Sequence, residues 1–217
     1  RRPPRLGTDA DLRTRDAQEN NQKLDEIVNV GRFQLDEVDN EIYLIDQKRV
    51  TVYDASTGDF KRGWGGHGMP LSEISNEPIP SYEWTGKPPP EEEQFAPTLH
   101  FIEISNDRRV YVGERGQNRI QVFTTEGEWL QDIYVSPNTP AQRGGCAGLR
   151  ETSASPMPVG TFYSSICGSM YKMIISKDPE QKYLFVADAH NDVVWEVERE
   201  SGETLGYFGG NGRLAGQ

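Results

Sequence analysis

Two cysteines are the most readily interpreted chemical groups of this sequence, and both lie in one stretch rich in glycine, serine and proline. Twenty residues separate Cys146 from Cys167. We interpret them as a disulfide, which would stabilise the fold by roughly 3 kcal/mol in the chain-entropy model; two free thiols are the alternative. Because disulfides persist in oxidising compartments, the pairing predicts an extracytoplasmic protein, either periplasmic or secreted.

Three carboxylates recur at equivalent places along the chain. Asp46, Glu114 and Asp188 each end a segment rich in β-branched and aromatic residues. Three carboxylates around one axis could bind calcium through their oxygens. Because the position recurs in every copy, the favoured interpretation is that each accepts hydrogen bonds from its own turn. Arg49 and Arg119 recur as well, and we interpret them as turn or inter-sheet contacts.

A glycine-rich run, Gly63–Gly68, formally fits the G-x-G-x-x-G pattern of dinucleotide sites. That chemistry needs a strand before the run and a helix after it, so that the helix N-terminus meets the pyrophosphate. Here Met69 and Pro70 follow, and a similar run recurs at Phe208–Gly212. A turn that belongs to a repeat is therefore the better explanation.

Composition and charge exclude several classes of protein. The 217 residues carry 23 Lys and Arg against 34 Asp and Glu, a net charge of −11, and this acidity disfavours binding to a phosphate backbone. No stretch approaches the ~20 apolar residues of a membrane span. Residues 1–24 form an Arg-rich tail that permits part of a helix. The chain begins with Arg and lacks an apolar signal core, so a targeting segment was removed or the sequence is incomplete.

The elements that position these residues belong to a repeat. Val50–Gly68 aligns with Val194–Gly212 without gaps, and Ile120–Ile133 has the same apolar alternation and glycine turn. Alternation with period two and Gly-containing turns predict four antiparallel strands per copy. The predicted strands are Ile27–Phe33, Glu41–Asp46, Arg49–Asp54 and Phe60–Trp64; then Leu99–Ser105, Val110–Glu114, Arg119–Thr124 and Trp129–Val135; and then Tyr171–Ser176, Tyr183–Asp188, Val193–Glu198 and Thr204–Phe208.

Repeated four-stranded units predict an all-β fold, the β-propeller, in which each blade buries its apolar face against the next. We place blades at residues 27–66, 98–135 and 170–210, within a partial propeller of residues 25–217. Insertions at 67–97 and 136–168 separate them. Four aromatic residues fall in the strand pattern and are expected in the core between blades: Trp64, Trp129, Trp195 and Phe208.

Residues 110–129 and 183–217 carry a resemblance to a known family. Asn118–Phe123, with the letters NRIQVF, and Val186–Asp188, with the letters VAD, resemble the motif of NHL-repeat proteins. The resemblance implies an NHL-type β-propeller similar to bacterial secreted proteins with six blades. The three blades present would then be half of the ring, and the remaining blades come from unseen sequence or another chain.

One enzyme related to the NHL-repeat proteins is peptidyl-α-hydroxyglycine α-amidating lyase, a metal-dependent propeller. Its zinc-binding histidines lie near the starts of inner strands. His100 falls at such a place, whereas His67 and His190 occur at other points of their repeats. Because a catalytic zinc needs about three protein ligands, this site would be completed only by residues outside the sequence. Zinc or calcium is therefore the cofactor to consider.

Function is expected mainly from the two insertions, because long loops on a rigid scaffold often carry binding sites. The first insertion is proline-rich and acidic, and it holds the residues that we select for partner binding: Tyr82, Trp84, Glu91, Glu92 and Glu93. The leading hypothesis is a binding or assembly module for a protein or peptide-like partner, of which a basic partner is one case. The alternative hypothesis is a metal-dependent lyase or hydrolase that uses His100.

Overall fold

Twelve strands make up the core of the computed structural model, which describes residues 30–46, 48–75, 92–96, 99–135, 170–188 and 192–210. They are β1 (Val30–Asp36), β2 (Glu41–Asp46), β3 (Arg49–Asp54), β4 (Phe60–Trp64), β5 (Leu99–Ile104), β6 (Arg109–Glu114), β7 (Arg119–Thr124), β8 (Trp129–Tyr134), β9 (Met170–Ile175), β10 (Tyr183–Asp188), β11 (Val193–Glu198) and β12 (Thr204–Gly209). Short 3₁₀ turns occur at Gly66–Gly68, Leu71–Glu73 and Arg115–Gln117.

The strands form three four-stranded antiparallel sheets in chain order, β1 to β4, β5 to β8 and β9 to β12. The predicted all-β fold with three propeller-type blades is therefore confirmed. The hairpin between the third and fourth strands of each sheet turns at a glycine with positive φ, at Gly58 (77°), Gly127 (91°) and Gly202 (73°), a conformation that a residue with a Cβ rarely adopts. These glycines explain why the spacing of Gly-containing turns predicted the strands so well.

Two β-bulges recur at equivalent positions in all three sheets. One falls on the second residue of the first strand, at Gly31, His100 and Tyr171. The other falls on the last strand, at Lys61, Leu130 and Leu205. Because a bulge interrupts the pairing ladder at a fixed place, its recurrence shows that the three sheets are copies of one structural unit.

The sheets stack in sequence, with β1 against β5 and β5 against β9, so that these first strands are the innermost. Apolar side chains fill both spaces between sheets. Those between the first two sheets are Tyr43, Ile45, Val50, Val52, Trp64, Phe95, Leu99, Ile102, Val110, Val112 and Phe123. Those between the last two are Phe101, Tyr111, Ile120, Val122, Ile133, Val135, Met170, Met173, Leu184, Val186, Trp195 and Val197.

Arginine side chains join neighbouring sheets at their hairpins. Arg108 of the second sheet donates to Asp36 Oδ1 of the first at 2.7 Å. Arg199 of the third sheet donates to Asp107 Oδ1 at 2.7 Å and to the Tyr111 hydroxyl at 3.0 Å. The same kind of contact thus ties each sheet to the one before it.

Two of the four aromatic residues expected in the core are not there. Trp64 and Trp195 are buried, but Trp129 is 42% exposed and Phe208 is 56% exposed. Trp129 begins the outermost strand of its sheet, and Phe208 lies on the last strand of the third sheet. Strand alternation predicts the face that a side chain occupies but not whether another sheet covers that face.

Several predictions concern residues outside the described ranges. They include the tail at 1–24, both cysteines, His190 and the two predicted partner residues Tyr82 and Trp84. Among the residues that the structure describes, no helix has the length and apolar character needed to cross a membrane.

Candidate functional site

An open cleft of about 660 Å³ lies beside β8, the outermost strand of the second sheet. Strand β8 provides one wall, the 3₁₀ turn after β4 a second and residues 92–94 a third. The residues that line it are His67, Met69, Glu92, Glu93, Gln94, Trp129, Asp132 and Tyr134. We refer to this feature as the β8 cleft.

The β8 cleft depends on the close approach of two backbone segments that are distant in sequence. A Cβ added to Gly66 would lie 2.6 Å from the backbone nitrogen of Phe95, so only glycine fits. Phe95 itself is fully buried in the core between the first two sheets. Residues 92–96 are therefore anchored against the turn, and they close the side of the cleft.

His67 is held on several sides within this turn. Its backbone has φ 52° and ψ 28°, the left-handed region in which histidine is one of the more tolerated residues. Its backbone N–H donates to Gln121 Oε1 at 2.8 Å, and its ring stacks on Trp129 at 4.3 Å between centroids. Nε2 lies 3.0 Å from Asp132 Oδ2. These contacts fix both the position and the orientation of the ring.

Asp132 is the centre of the hydrogen-bond network beneath the cleft. Its Oδ1 accepts from Trp129 Nε1 at 3.0 Å, and its Oδ2 accepts from Arg119 Nη1 at 3.1 Å. Arg119 in turn donates to Glu114 Oε1 at 3.1 Å and to the backbone oxygens of Glu92 and Gln94. One buried guanidinium thus connects the sheet with the segment that closes the cleft.

Burial governs the ionisation of the groups below the cleft. Desolvation raises the pKa of Glu114 to about 7, although Arg119 and the Ala96 backbone N–H act in the opposite direction. Desolvation likewise raises the pKa of the Tyr134 hydroxyl. Glu114 is therefore easily protonated near neutral pH, which is unusual for a carboxylate.

Two of the five predicted partner residues, Glu92 and Glu93, line the cleft, whereas Tyr82, Trp84 and Glu91 lie outside the described residues. Within the described part of the chain, no cationic side chain pairs with the carboxylate of Glu92 or Glu93. Gln94 Oε1 is shielded from solvent and has no hydrogen-bond partner in these same ranges. Glu92 Oε1 already accepts from the Gln94 backbone N–H at 3.0 Å, so the acceptors that this wall offers to a ligand are the remaining carboxylate oxygens of Glu92 and Glu93.

The chemistry of the lining limits what the cleft can do. With Nε2 directed to Asp132, His67 has the arrangement of an oriented general base. The lining contains no serine, threonine, cysteine or lysine, so its candidate nucleophiles are carboxylates, a histidine and a tyrosine. The stacked Trp129 and the acceptors of residues 92–94 suit binding better than covalent catalysis.

His100, the predicted zinc ligand, lies at the bulge of β5 beside the innermost strands. Its Nδ1 is buried without a hydrogen-bond partner among the described residues, and its ring meets Tyr171 edge-on at 4.9 Å. Burial, together with the nearby charge of Arg115, lowers the pKa of its imidazole. The equivalent bulges carry glycine and tyrosine, so the described residues bring one histidine to this place.

The three recurring carboxylates are each engaged within their own sheet. Asp46 Oδ2 accepts from Arg49 at 2.9 Å, and Asp188 Oδ2 accepts from Trp195 Nε1 at 2.9 Å. Glu114 is held by Arg119, as described above. Their donors come from the following strand, which supports a structural role over calcium binding and agrees with the interpretation of Arg49 and Arg119 as turn contacts.

A separate acidic group, Asp36, Asp39 and Glu41, lies at the hairpin between β1 and β2. Arg108 contacts the first two carboxylates, while Arg62 donates to Glu41 Oε1 at 2.8 Å. The hydrogen bond from Arg62, together with those from Lys61 and Tyr43, lowers the pKa of Glu41 to about 2. Guanidinium groups therefore already occupy these carboxylates: Arg108 joins Asp36 and Asp39 to the second sheet, and Arg62 holds Glu41 within the first sheet.

The sequence interpretation missed His67, although a signal existed. In the aligned repeat His67 corresponds to Asn211, and both histidine and asparagine tolerate positive φ. The shared turn was therefore detectable. The stacking on Trp129 was not, because it depends on the packing of two different sheets.

Comparisons with known proteins identify no family: no family model matches the chain, and no curated protein matches it. Solved structures do match. One, described as a 6-phosphogluconolactonase of Bacteroides fragilis, is 15% identical with a TM-score of 0.46, covering 83% of this chain and 39% of that one. Another, a catalytically inactive virginiamycin B lyase from Staphylococcus aureus with quinupristin, is 13% identical with a TM-score of 0.48, covering 86% and 43%.

This chain thus spans about two fifths of the length of either protein. Membership of the NHL family stays a prediction from the sequence motif. The assignment of the fold rests on the three sheets themselves.

Proposed function

We propose that this chain is a protein-binding and assembly module of the β-propeller type, whose two outer sheets bind further sheets of the same kind. The observation that carries the proposal is the exposure of apolar residues on those outer sheets. Phe33 in β1 is 67% exposed, whereas Ile102, at the equivalent position of β5, is 2% exposed. Phe208 is 56% exposed, whereas its equivalent, Ile133, is 1% exposed.

The exposed residues occupy the positions that a neighbouring sheet covers in the middle of the stack. Phe33 faces away from the second sheet, and Phe208 contacts Phe185 on the corresponding far face of the third. Apolar patches of this kind mark protein–protein contacts. We call them the end faces; they comprise Phe33 and Leu35 on the first sheet and Ile174, Phe185 and Phe208 on the third.

In this proposal the end faces are covered by blades that come from sequence outside these residues or from another chain. Three four-stranded sheets would be half of a six-bladed NHL-type ring, and closing a ring protects sheet edges and faces together. The NHL motif at Asn118–Phe123 supports this number of blades, as a resemblance only. The partner is then a protein surface built from the same repeat.

The experiment is a measurement of mass and exposed apolar surface in solution. The chain of 24.5 kDa is expected to associate or to bind a hydrophobic dye, and Phe33→Asp and Phe208→Asp to abolish association. The matched control is Leu130→Asp, which changes an exposed leucine on the middle sheet and should alter neither association nor dye binding. A chain that stays monomeric at high concentration and binds no dye would contradict the proposal.

The proposed extracytoplasmic location depends on Cys146 and Cys167. Thiol titration of protein isolated from an oxidising compartment is expected to detect no free thiol before reduction and two after it. Two reactive thiols before reduction would remove the support for this location.

The metal-dependent lyase has weaker support from the described residues. His100 offers one imidazole, and the charge of Arg115 nearby opposes a second cation. Elemental analysis decides between the two functions: stoichiometric zinc or calcium retained through dialysis would favour the enzyme, and its absence would favour the binding module.

A further inference from the structure

We propose that the β8 cleft binds a cationic side chain of a peptide, arginine in preference to lysine, against Trp129 and beside Glu92, Glu93 and Gln94. This site lies apart from the end faces, and the inference does not depend on the proposed assembly.

The aromatic surface is the first component of the site. Trp129 is large and partly exposed at the cleft, and one side of its ring is already occupied by the stacked His67. Indole is the best aromatic partner of a guanidinium or ammonium group because its face is electron-rich. The part of the ring that faces the cleft is therefore a surface on which a cation is stabilised.

The acceptors are the second component. Glu93 is exposed and Glu92 is half-buried, and within the described ranges neither carboxylate pairs with a cation. Gln94 Oε1, shielded from solvent, lacks a donor there as well. Because this oxygen has no surface open to solvent, the acceptors that a ligand meets in the cleft are the carboxylates of Glu92 and Glu93. An anion would gain nothing from this wall.

Preorganisation is the third component. Asp132 holds both His67 and Trp129, and Arg119 fixes Asp132 together with the backbone of residues 92 and 94. Little side-chain freedom is then left to lose when a ligand binds. Arg119 pairs with Glu114 and Asp132, so it leaves the carboxylates of Glu92 and Glu93 to act on the ligand.

Geometry favours arginine over lysine. A guanidinium is planar, stacks on an indole face and presents five N–H donors, whereas an ammonium is a compact and strongly hydrated point charge. A cleft with one aromatic surface and a row of acceptors matches the planar group. The acidic lining also attracts a basic peptide from solution, an effect that salt weakens.

The test is calorimetric titration with short, end-capped glycine peptides that carry one central residue. We expect the arginine peptide to bind best and the lysine peptide less well. Citrulline keeps the planar shape of arginine without its charge, so its peptide should bind at least ten-fold more weakly than the arginine peptide. That ratio corresponds to a difference of about 1.4 kcal/mol in binding free energy. Binding should fall steeply as salt rises to about 1 M, where the Debye length is about 3 Å. Equal affinity for arginine and citrulline would overturn the proposal.

Two variants locate the site, each with a matched control. Trp129→Leu and Glu93→Gln should each weaken arginine-peptide binding by roughly three- to ten-fold. Tyr207→Leu and Glu203→Gln change the same kinds of exposed side chain on the third sheet and should leave binding unchanged. If both Trp129→Leu and Glu93→Gln bind as the wild type does, or if the controls lose as much affinity, the cleft is not the site.

A folding defect is distinguished from a lost contact by the Glu93→Gln variant. Glu93 is exposed, so its substitution should leave the unfolding midpoint unchanged while it weakens binding. Failure of this proposal would leave the end-face proposal intact, because the end faces are tested by measuring the mass of the protein in solution and not by peptide binding.

Discussion

The middle sheet and the third sheet share one strand order and one bulge pattern, yet they differ in what covers them. Ile133 of the middle sheet is packed under the third sheet, whereas Phe208, at the same repeat position, faces no sheet among the described residues. The repeat therefore determines the backbone conformation, whereas the neighbouring sheets determine how much each side chain contributes to the stability of the fold. A substitution at equivalent positions should therefore have unequal consequences.

The largest expected effect comes from the buried network of the middle sheet. Arg119→Ala leaves Glu114 without its cation and removes the bonds to residues 92 and 94. Removing one member of a buried pair costs about 3–5 kcal/mol. Urea unfolding should show a large loss of stability, whereas Arg109→Ala, whose partner Glu200 is exposed, should lose about 1 kcal/mol or less. Similar losses for both would contradict this contrast.

The second effect concerns Ile133 and Phe208, which occupy the same repeat position in the middle sheet and the third sheet. Ile133→Ala creates a cavity in the core and should cost about 2–5 kcal/mol of unfolding free energy at any protein concentration. Phe208→Ala should cost well under that in dilute solution and weaken association at higher concentration. An Ile133→Ala chain as stable as the wild type would show that the third sheet does not pack on the second.

A third effect compares two strand glycines. A Cβ at Gly113 would overlap the ring of the fully buried Phe101, whereas a Cβ at Gly206 meets nothing within 4 Å. Gly113→Ala should therefore destabilise the fold by about 1–3 kcal/mol through overpacking. Gly206→Ala should be neutral or slightly stabilising, and thermal melts of the two variants would measure the difference.

The smallest effect is a difference in pH dependence between two carboxylates. The pKa of Glu41, lowered to about 2, gives stability that is present above pH 4.5 and is lost as pH falls towards 2. The pKa of Glu114, raised to about 7, has the opposite sign, because the folded chain keeps a proton that the unfolded chain releases. Its contribution makes stability fall as pH rises from 4.5 to 7.

Urea midpoints across this pH range test both signs. Glu41→Gln should flatten the acid side of the profile, and Glu114→Gln should remove the decline between pH 4.5 and 7. A Glu114→Gln profile that keeps this decline would assign it to another group.

The strands could be predicted from the sequence because their signals are local. Glu41–Asp46 is rich in β-branched and aromatic residues, Arg49–Asp54 and Val193–Glu198 alternate with period two before a glycine turn, and the observed strands have these same limits. The strand predicted at Ile27–Phe33 ended three residues too early, because the described strand runs from Val30 to Asp36, and residues 27–29 lie outside the described ranges.

The β8 cleft could not be predicted, because it is made by contacts over long sequence separations. His67 lies in the turn after the first sheet and Asp132 lies in the second sheet. Glu92 is held near them because Phe95 is buried in the core that contains Trp64 and Phe123. Composition did indicate that Glu92 and Glu93 were candidates for binding. It gave no reason to place them next to Trp129.

The bulges at Gly31, His100 and Tyr171 have a consequence for how this scaffold can vary. Each residue stands outside the pairing ladder, so its side chain carries no share of the strand register. Three such positions on adjoining innermost strands can therefore differ as widely as glycine, histidine and tyrosine while the sheets keep their form. During evolution, single substitutions at these bulges could change the side chains beside the innermost strands one at a time without changing the fold.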